Sequence, residues 1–424
     1  MTPEIKQRIE QIRRGEVPEG YVKKRKVVIP QQWGLPQIKD IASISSGSTP
    51  NRNNSEYWNG NIAWVTTGEL SSGHVNHTSE LITVKAVKET KMRIYPQGTL
   101  LMAMYGQGKT RGTVAILEID AAVNQACAAI TVKDGKSKFL FYQLKNSYQD
   151  IRKLSNTGNQ ENLNADIIKT YQVPWAPDEE QERISTILTT QDKVIELKEK
   201  RLAEKQRQKK YLMQQLLTGK KRLPGFSGEW KNIKLCEVLS ERKEKNVEQN
   251  LRICSVAVQK GVVDQVEHLG RSYAANDTSN YSVAHYGDII YTKSPTGDFL
   301  YGIVKQNLLQ ETVAVSPLYG VFTPLTFGLG YFLHTYFQSA ICARNYLLPI
   351  VQKGAKNTIN ITNDTFISSK LYLPLDVEEQ KAIADTIIAA DREIELLQQD
   401  IEQEKQKKKA LMQLLLTGIV RVKT

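Results

Sequence analysis

Residues 102 to 112, MAMYGQGKTRG, contain the spacing Ala103-x-x-x-x-Gly108-Lys109-Thr110, a phosphate-loop string with Ala in place of its first Gly. Such a loop holds phosphates on backbone amides at a helix N-terminus, so it needs a strand before it and a helix after it. The residues that follow here are RGTVAILEI, in which Gly112, Thr113, Val114 and Ile116 favour a strand. The string therefore predicts the tip of a β-hairpin rather than a nucleotide cradle. On such a tip Lys109 suits contact with a nucleic-acid phosphate, Gln107 or Arg111 suits a base edge, and Tyr105 sits among flexible glycines. A solvated basic turn is the bland alternative.

Four further stretches carry similar chemistry. SSGSTPNRNNS at 45 to 55 offers Ser48, Thr49 and Arg52, with Tyr57, Trp58 and Trp64 behind them to fix the loop. NTGNQENLN at 156 to 164 concentrates amides, among them Asn159, Gln160 and Asn162, and Asn or Gln can bond adenine bidentately. In the second half of the chain YTKSPTGDFLYG at 291 to 302 stands where the first hairpin stood, with Lys293, Ser294 and Tyr301, and VQKGAKNTIN at 351 to 360 offers Lys353, Lys356 and Asn357. Each has a plain reading as a surface loop or an Asx turn.

Enzyme readings fare worse. An adenine methyltransferase needs Asn or Asp followed by Pro-Pro and an aromatic, and no Pro here follows Asn, Asp or Pro. A nuclease set of Pro177-Asp178 with Glu196-x-Lys198 falls on a helical pattern, away from any strand beside a metal pocket. His74 and His77 have no Cys or carboxylate cluster around them for zinc. No catalytic or metal site is expected. The four Cys, at 127, 236, 254 and 342, are too scattered for a disulfide framework, which fits free thiols in a reducing cytoplasm. No apolar run approaches the roughly 18 residues a membrane-crossing helix needs, and MTPEIKQRIEQIRRGE lacks the apolar core of a signal peptide.

The elements that must position these loops show themselves as a repeat. Residues 179 to 222 and 378 to 421 align without a gap at an offset of 199, with 18 of 44 positions identical, including the opening EEQ and the closing LLTG. In the second copy Ile383, Ile387, Ala390, Ile394, Leu397, Ile401, Glu404, Lys408, Leu411 and Leu415 trace a heptad seam. In the first the seam is Ile184, Leu188, Gln191, Ile195, Lys198, Leu202, Lys205, Lys209, Leu212 and Leu216, apolar at its ends and polar in the middle. Each copy predicts a helix roughly 60 Å long that stops at Gly219 or Gly418, and two such helices with matching seams should pair. The alternative is that each packs only on its own domain.

Before each helix lies a globular region, 31 to 178 and 223 to 377, opening at Trp33 or Trp230 and closing on VPWAPDEEQ or LPLDVEEQ. Short β-type runs such as GTLLMAMYG, GTVAILEI, GDIIYTKS and YGIVKQN mark both as mixed α and β. Residues 1 to 30 read as a separate basic arm that starts with a short helix. Lys and Arg number 57 against 45 Asp and Glu, a net charge of +12 that favours a polyanionic partner. The excess is local: 11 basic against 3 acidic residues in 193 to 222, and 8 against 4 in the arm. That excess could track DNA, face an acidic protein, or be a solvated helix face.

The two-copy architecture, with SGSTPNRNNSEYWNGNIAW, YPQGTLLMAMYGQGKTRGTVAI, VNQACAAI and TGNQENLN in the first domain, resembles the DNA-specificity subunit of type I restriction-modification systems. The second domain keeps weaker echoes in YGDIIYTKS, ETVAV and KGAKNTIN. The resemblance implies an α+β fold: two mixed α/β target-recognition domains, 31–178 and 223–377, separated by long helices, 179–222 and 378–424, that pair as an antiparallel coiled coil. It also implies a non-catalytic reader of double-stranded DNA, with each domain recognising one half of a split, asymmetric target. Two adenine methyltransferase subunits and restriction-translocase subunits would be its partners, and S-adenosylmethionine, ATP and Mg would be held by those partners. A coiled-coil scaffold with two protein-binding domains is the competing reading.

Overall fold

The computed structural model describes residues 2–106, 108–154, 162–271, 274–353 and 359–422. They form two compact units, residues 1–198 with 400–424 and residues 199–399. The division falls inside the long helices, so each unit is a globular region with the beginning of one long helix and the end of the other.

In the first unit a five-stranded sheet runs in the order Ala42–Ser46, Cys127–Val132, Leu100–Ala103, Val114–Leu117, His74–Val75. Its neighbours are antiparallel except the last pair. Alternation explains why its central strands read as unbroken apolar runs. Leu100, Met102, Val114, Ile116, Ala128 and Ile130 face a core shared with helix Ser137–Asn146, while Leu101, Ala103, Ala115, Leu117, Cys127 and Ala129 face a second core on the other side. Both faces are covered, so neither needs polar residues. A three-stranded sheet, Glu80–Ile82, Trp58–Val65 and Ala121–Val123, completes the unit.

The second unit repeats the principle with two four-stranded sheets. One runs Leu239–Glu241, Gly320–Pro324, Ile289–Tyr291, Val304–Gln306, and the other Gly261–Asp264, Arg252–Ala257, Val313–Val315, Ser282–Ala284. Ile289, Tyr291 and Phe322 point into the larger core, and Ile290 and Val321 into the smaller. Both domains close on themselves where the sequence repeats: Trp230–Lys234 pairs antiparallel with Lys370–Pro374, and Gly34 bridges Trp175.

The two long helices are Asp178–Leu216 and Val377–Leu415, 39 residues each, or about 58 Å. Both carry acidic residues in the first turn, which suits the positive end of a helix dipole, and both are followed by a left-handed glycine, Gly219 at φ 67° and Gly418 at φ 73°. They run antiparallel in each unit. In the first, Gln191 donates to Glu404 at 2.6 Å, Lys198 reaches Asp400 and Glu404 at 2.8 Å each, and Asp192 pairs with Lys408. In the second, Lys205 meets Glu393 at 2.9 Å and Lys209 pairs with Asp391. The polar middle of the seam is thus a ladder of opposite charges.

The apolar ends of the seam do more than pair helices. Ile184, Leu188 and Leu415 are buried in the first globular core beside Phe139, and Leu216, Ile383 and Ile387 in the second beside Phe332. Leu411 and Leu212 pack at the edges of those cores. Ile195 and Ile401 are buried outside any globular cluster, and Leu202, Ile394 and Leu397 are half-buried.

The N-terminal arm is not separate. Its helix, Pro3–Arg13, is capped by Thr2, and the hairpin Tyr21–Lys24 and Val27–Pro30 packs on the last turn of the chain. Tyr21 donates to the Gly418 carbonyl at 2.7 Å, Arg8 donates to the Ile419 carbonyl, and Ile29 is part of the first core. Buried apolar surface overrides the local basic charge that set the arm apart in the sequence. Among the described residues no helix is long and apolar enough to cross a membrane.

Candidate nucleic-acid interface

In the first unit the predicted loops leave one end of the five-stranded sheet. The register pairs Ala128 with Ser46 and Cys127 with Ala103, so the chain enters loop 47–57, enters loop 104–113 and leaves turn 124–126 side by side. A chain of hydrogen bonds joins them: Ser48 N to Val123 O at 3.0 Å, Met104 N to Ala126 O at 2.8 Å and Leu163 N to Met104 O at 3.0 Å. Thr49 Oγ1 donates to Gln125. Gln125 is an exposed amide at this edge that the sequence reading passed over, although it stands inside VNQACAAI.

Loop 104–113 links two antiparallel strands, and Gly108-Lys109-Thr110 leads into a strand rather than a helix. Helix Tyr148–Lys153 braces it. Tyr148 Oη donates to the Lys109 carbonyl at 2.7 Å, and Arg152 to the Arg111 carbonyl at 2.8 Å while lying over the Tyr148 ring. Gly112, at φ 82°, lets the chain pass against Tyr148 and Arg152. Tyr105 and Lys109 are exposed. Arg111 is not: at 6% exposure it points inward, which removes it as a base-edge candidate. Arg152 holds its carbonyl, a partner that sequence spacing does not reveal. Gln107 lies outside the described residues.

Loop 47–57 is held by its aromatics as expected. Trp64 Nε1 donates to the Ser48 carbonyl at 3.1 Å, Trp58 Nε1 to the Asn51 carbonyl at 3.2 Å, and the two indoles meet edge-on at 5.2 Å. Arg52 departs from expectation: its guanidinium lies 4.1 Å over Trp58 and forks onto the Glu80 carboxylate. That hydrogen-bonded pairing raises the Arg52 pKa and lowers that of Glu80. Contact between Arg52 and a phosphate would first have to displace Glu80. Asn159 and Gln160 lie outside the described residues, and Asn162 is half-buried. Neighbouring Asn164 is an N-cap, accepting from Ile167 N at 2.8 Å, as the Asx reading allowed.

The second unit has the same construction with different side chains. Loop 292–303 links antiparallel strands Ile289–Tyr291 and Val304–Gln306 and is pinched by a bridge between Thr296 and Phe299. Gly302, at φ 97°, is required because a Cβ would meet the Lys293 amide and the Tyr291 ring. Lys293 takes a left-handed φ of 55°, and burial pushes its pKa down. Ser294 is exposed. Tyr301 packs partly against the core, so its ring is only half available. Gly320 pairs with Tyr291, and Asn363 donates to Glu241 at 2.5 Å, which brings the chain after 359 to the same sheet end. Lys353 lies on a two-residue strand, while Lys356 and Asn357 are outside the described residues.

Elsewhere, His74 is paired with Glu118 at 2.8 Å and His77 with Asn76 at 2.7 Å. All four cysteines are unpaired. Burial pushes the Cys127 thiol to about 12 and the Cys254 thiol to about 11.

Two domains of one design, each ending in a cluster of polar loops, match the type I restriction modification DNA specificity domain twice, over residues 30–206 and 228–406. The chain belongs to this family. The specificity chain is 34% identical over 178 residues to the type I restriction enzyme MjaIX specificity subunit of Methanocaldococcus jannaschii, a stretch covering 41% of this chain and 40% of that one. It is 24% identical to the MjaVIII specificity subunit of the same organism over 93% and 94% of the two chains. In fold it resembles the type I restriction-modification S subunit from M. genitalium, with a TM-score of 0.56 at 11% identity over 93% of this chain and 98% of that one. It also resembles the HsdS subunit from Thermoanaerobacter tengcongensis, with a TM-score of 0.50 at 17% identity over 92% and 98%.

Proposed function

We propose that the specificity chain reads a bipartite, asymmetric duplex target, one half-site through the loops at 47–57, 104–113 and 155–164, the other through those at 292–303 and 351–360. The observation that carries this reading is that one framework occurs twice with different loop side chains, so two dissimilar half-sites are the natural substrate. The paired helices would set the gap between half-sites, since half-site spacing follows from how far apart two reading elements are held. The chain would contribute no catalysis. Two adenine methyltransferase subunits would supply S-adenosylmethionine chemistry, and translocase-nuclease subunits would supply ATP and Mg chemistry, all in the cytoplasm.

The test is a map of methylated adenines in DNA from cells carrying the chain with its methyltransferase, compared with cells lacking the chain. A split, asymmetric motif present only with the chain is the expected result. Identical methylation without it would overturn the reading.

A further inference from the structure

The second unit contains a cavity of about 1130 Å³ whose wall includes Gly297, Asp298 and Phe299 of loop 292–303. Strand Val304–Gln306, helix Phe327–Tyr336 and stretches of both long helices, all within residues 199–399, line it. Lys305 is in its wall and is 3% exposed, paired with Ile290 across the strands. Among the described residues its ammonium has no ion-pair partner. The nearby carboxylate, Asp391, is already shared by Lys209 and by the Tyr331 hydroxyl at 3.0 Å. Burial, together with the Lys209 charge, pushes the Lys305 pKa down to about 8, against the opposing pull of the Asp391 charge.

A second buried group points the same way. Gln306 lines the cavity; its Oε1 is buried and accepts no hydrogen bond, while its Nε2 donates to the Gly287 carbonyl at 2.9 Å. His334 cannot serve as the missing acid or as a cation. Its Nδ1 accepts the Gln306 amide at 2.9 Å, and burial, the largest cause, pushes its pKa down to about 3. At the mouth, Tyr286 and Phe327 are stacked at 5.1 Å and remain 50% and 36% exposed.

We propose that this cavity binds a small ligand of the mononucleotide class, with its phosphate on the Lys305 ammonium and its planar ring against Tyr286 and Phe327. A buried ammonium without a direct ion pair is costly, and an anion that pairs with it recovers much of that cost. The lining carries four cations, Lys209, Lys260, Lys305 and Arg392, against three carboxylates, Asp298, Asp391 and Glu395, an excess of one positive charge that suits an anion. The aromatic pair offers a π-face of the kind bases stack on. The volume is slightly above the roughly 300–1,000 Å³ of most small-molecule sites, which leaves room for water beside such a ligand.

The test is calorimetric titration of the full-length chain with AMP, adenosine and inorganic phosphate. AMP should bind at least about tenfold more tightly than adenosine, the worth of one good charge contact, and phosphate should compete with it. Lys305→Met should weaken AMP by a similar factor, and Tyr286→Ala should weaken AMP without altering phosphate. No AMP binding at millimolar concentration, equal affinity for AMP and adenosine, or unchanged AMP binding in Lys305→Met would each overturn the assignment.

Discussion

Glu180 and Glu379 are almost wholly buried carboxylates, and each is held by the same two residue types. Trp33 Nε1 donates to Glu180 at 2.9 Å, and Arg421 forks onto it at 2.8 and 2.9 Å. Trp230 Nε1 donates to Glu379 at 3.1 Å, and Arg222 forks onto it. Each set ties the start of a domain to the start of one long helix and to the residue just past the end of the other. Removing the acid leaves a partly buried guanidinium and an indole N–H without an acceptor, so Glu379→Ala should cost roughly 3 kcal/mol, read as a lower urea midpoint. Replacing Arg222 with Met in the same chain should recover part of that loss, because the stranded charge is then gone. At the loops, Lys109 is exposed and its carbonyl is braced by Tyr148, so Lys109→Ala should leave stability within about 0.5 kcal/mol while weakening DNA binding similarly on all sequences. A sequence-selective loss would instead make Lys109 a base reader.

At the scale of elements, the charged ladder between the long helices sets a pH window. Glu404 accepts from Lys198 and Gln191, and these bonds hold its carboxyl down to about 2 from an ordinary 4.5. A carboxyl whose pKa is lower folded than unfolded stabilises the fold above the unfolded value and loses that contribution as pH falls through the folded one. Wild-type melting temperature should therefore fall more steeply between pH 4.5 and about 2 than that of Glu404→Gln. Parallel pH profiles would show the ladder to be energetically silent. The helices themselves were legible in the sequence because heptad spacing, acidic starts and Gly219 and Gly418 are local signals. The apolar strands around Leu101 and Val114 were legible for the same reason. What could not be read were partners set by tertiary packing: Arg111 turned inward under Arg152, Arg52 taken by Glu80, and Tyr21 docked on Gly418. The Trp–Glu–Arg sets lay between these cases. Glu180 and Glu379 are identical at the repeat offset of 199, as are Arg222 and Arg421, yet nothing local says that they meet.

For the whole molecule, the proposed ruler makes a geometric demand on both helices at once. Lengthening only the first helix would slide Gln191 and Lys198 past Glu404, or Lys205 and Lys209 past Glu393 and Asp391, and the ladder would lose its register. Four residues inserted after Lys198 and four after Gln399 keep every one of these pairs, because the insertions lie between the two groups of contacts. They add about 6 Å of helix and turn one end by roughly 40° relative to the other. On DNA at about 34 Å per turn of roughly ten base pairs, the advance corresponds to nearly two base pairs and the rotation to about one. The doubly lengthened chain should therefore direct methylation to the same two half-sites separated by one or two additional base pairs, whereas insertion into the first helix alone should lower the yield of folded protein. If the methylation map of the double insertion keeps the original spacer, the helices do not set the gap, and the ruler role proposed for them fails.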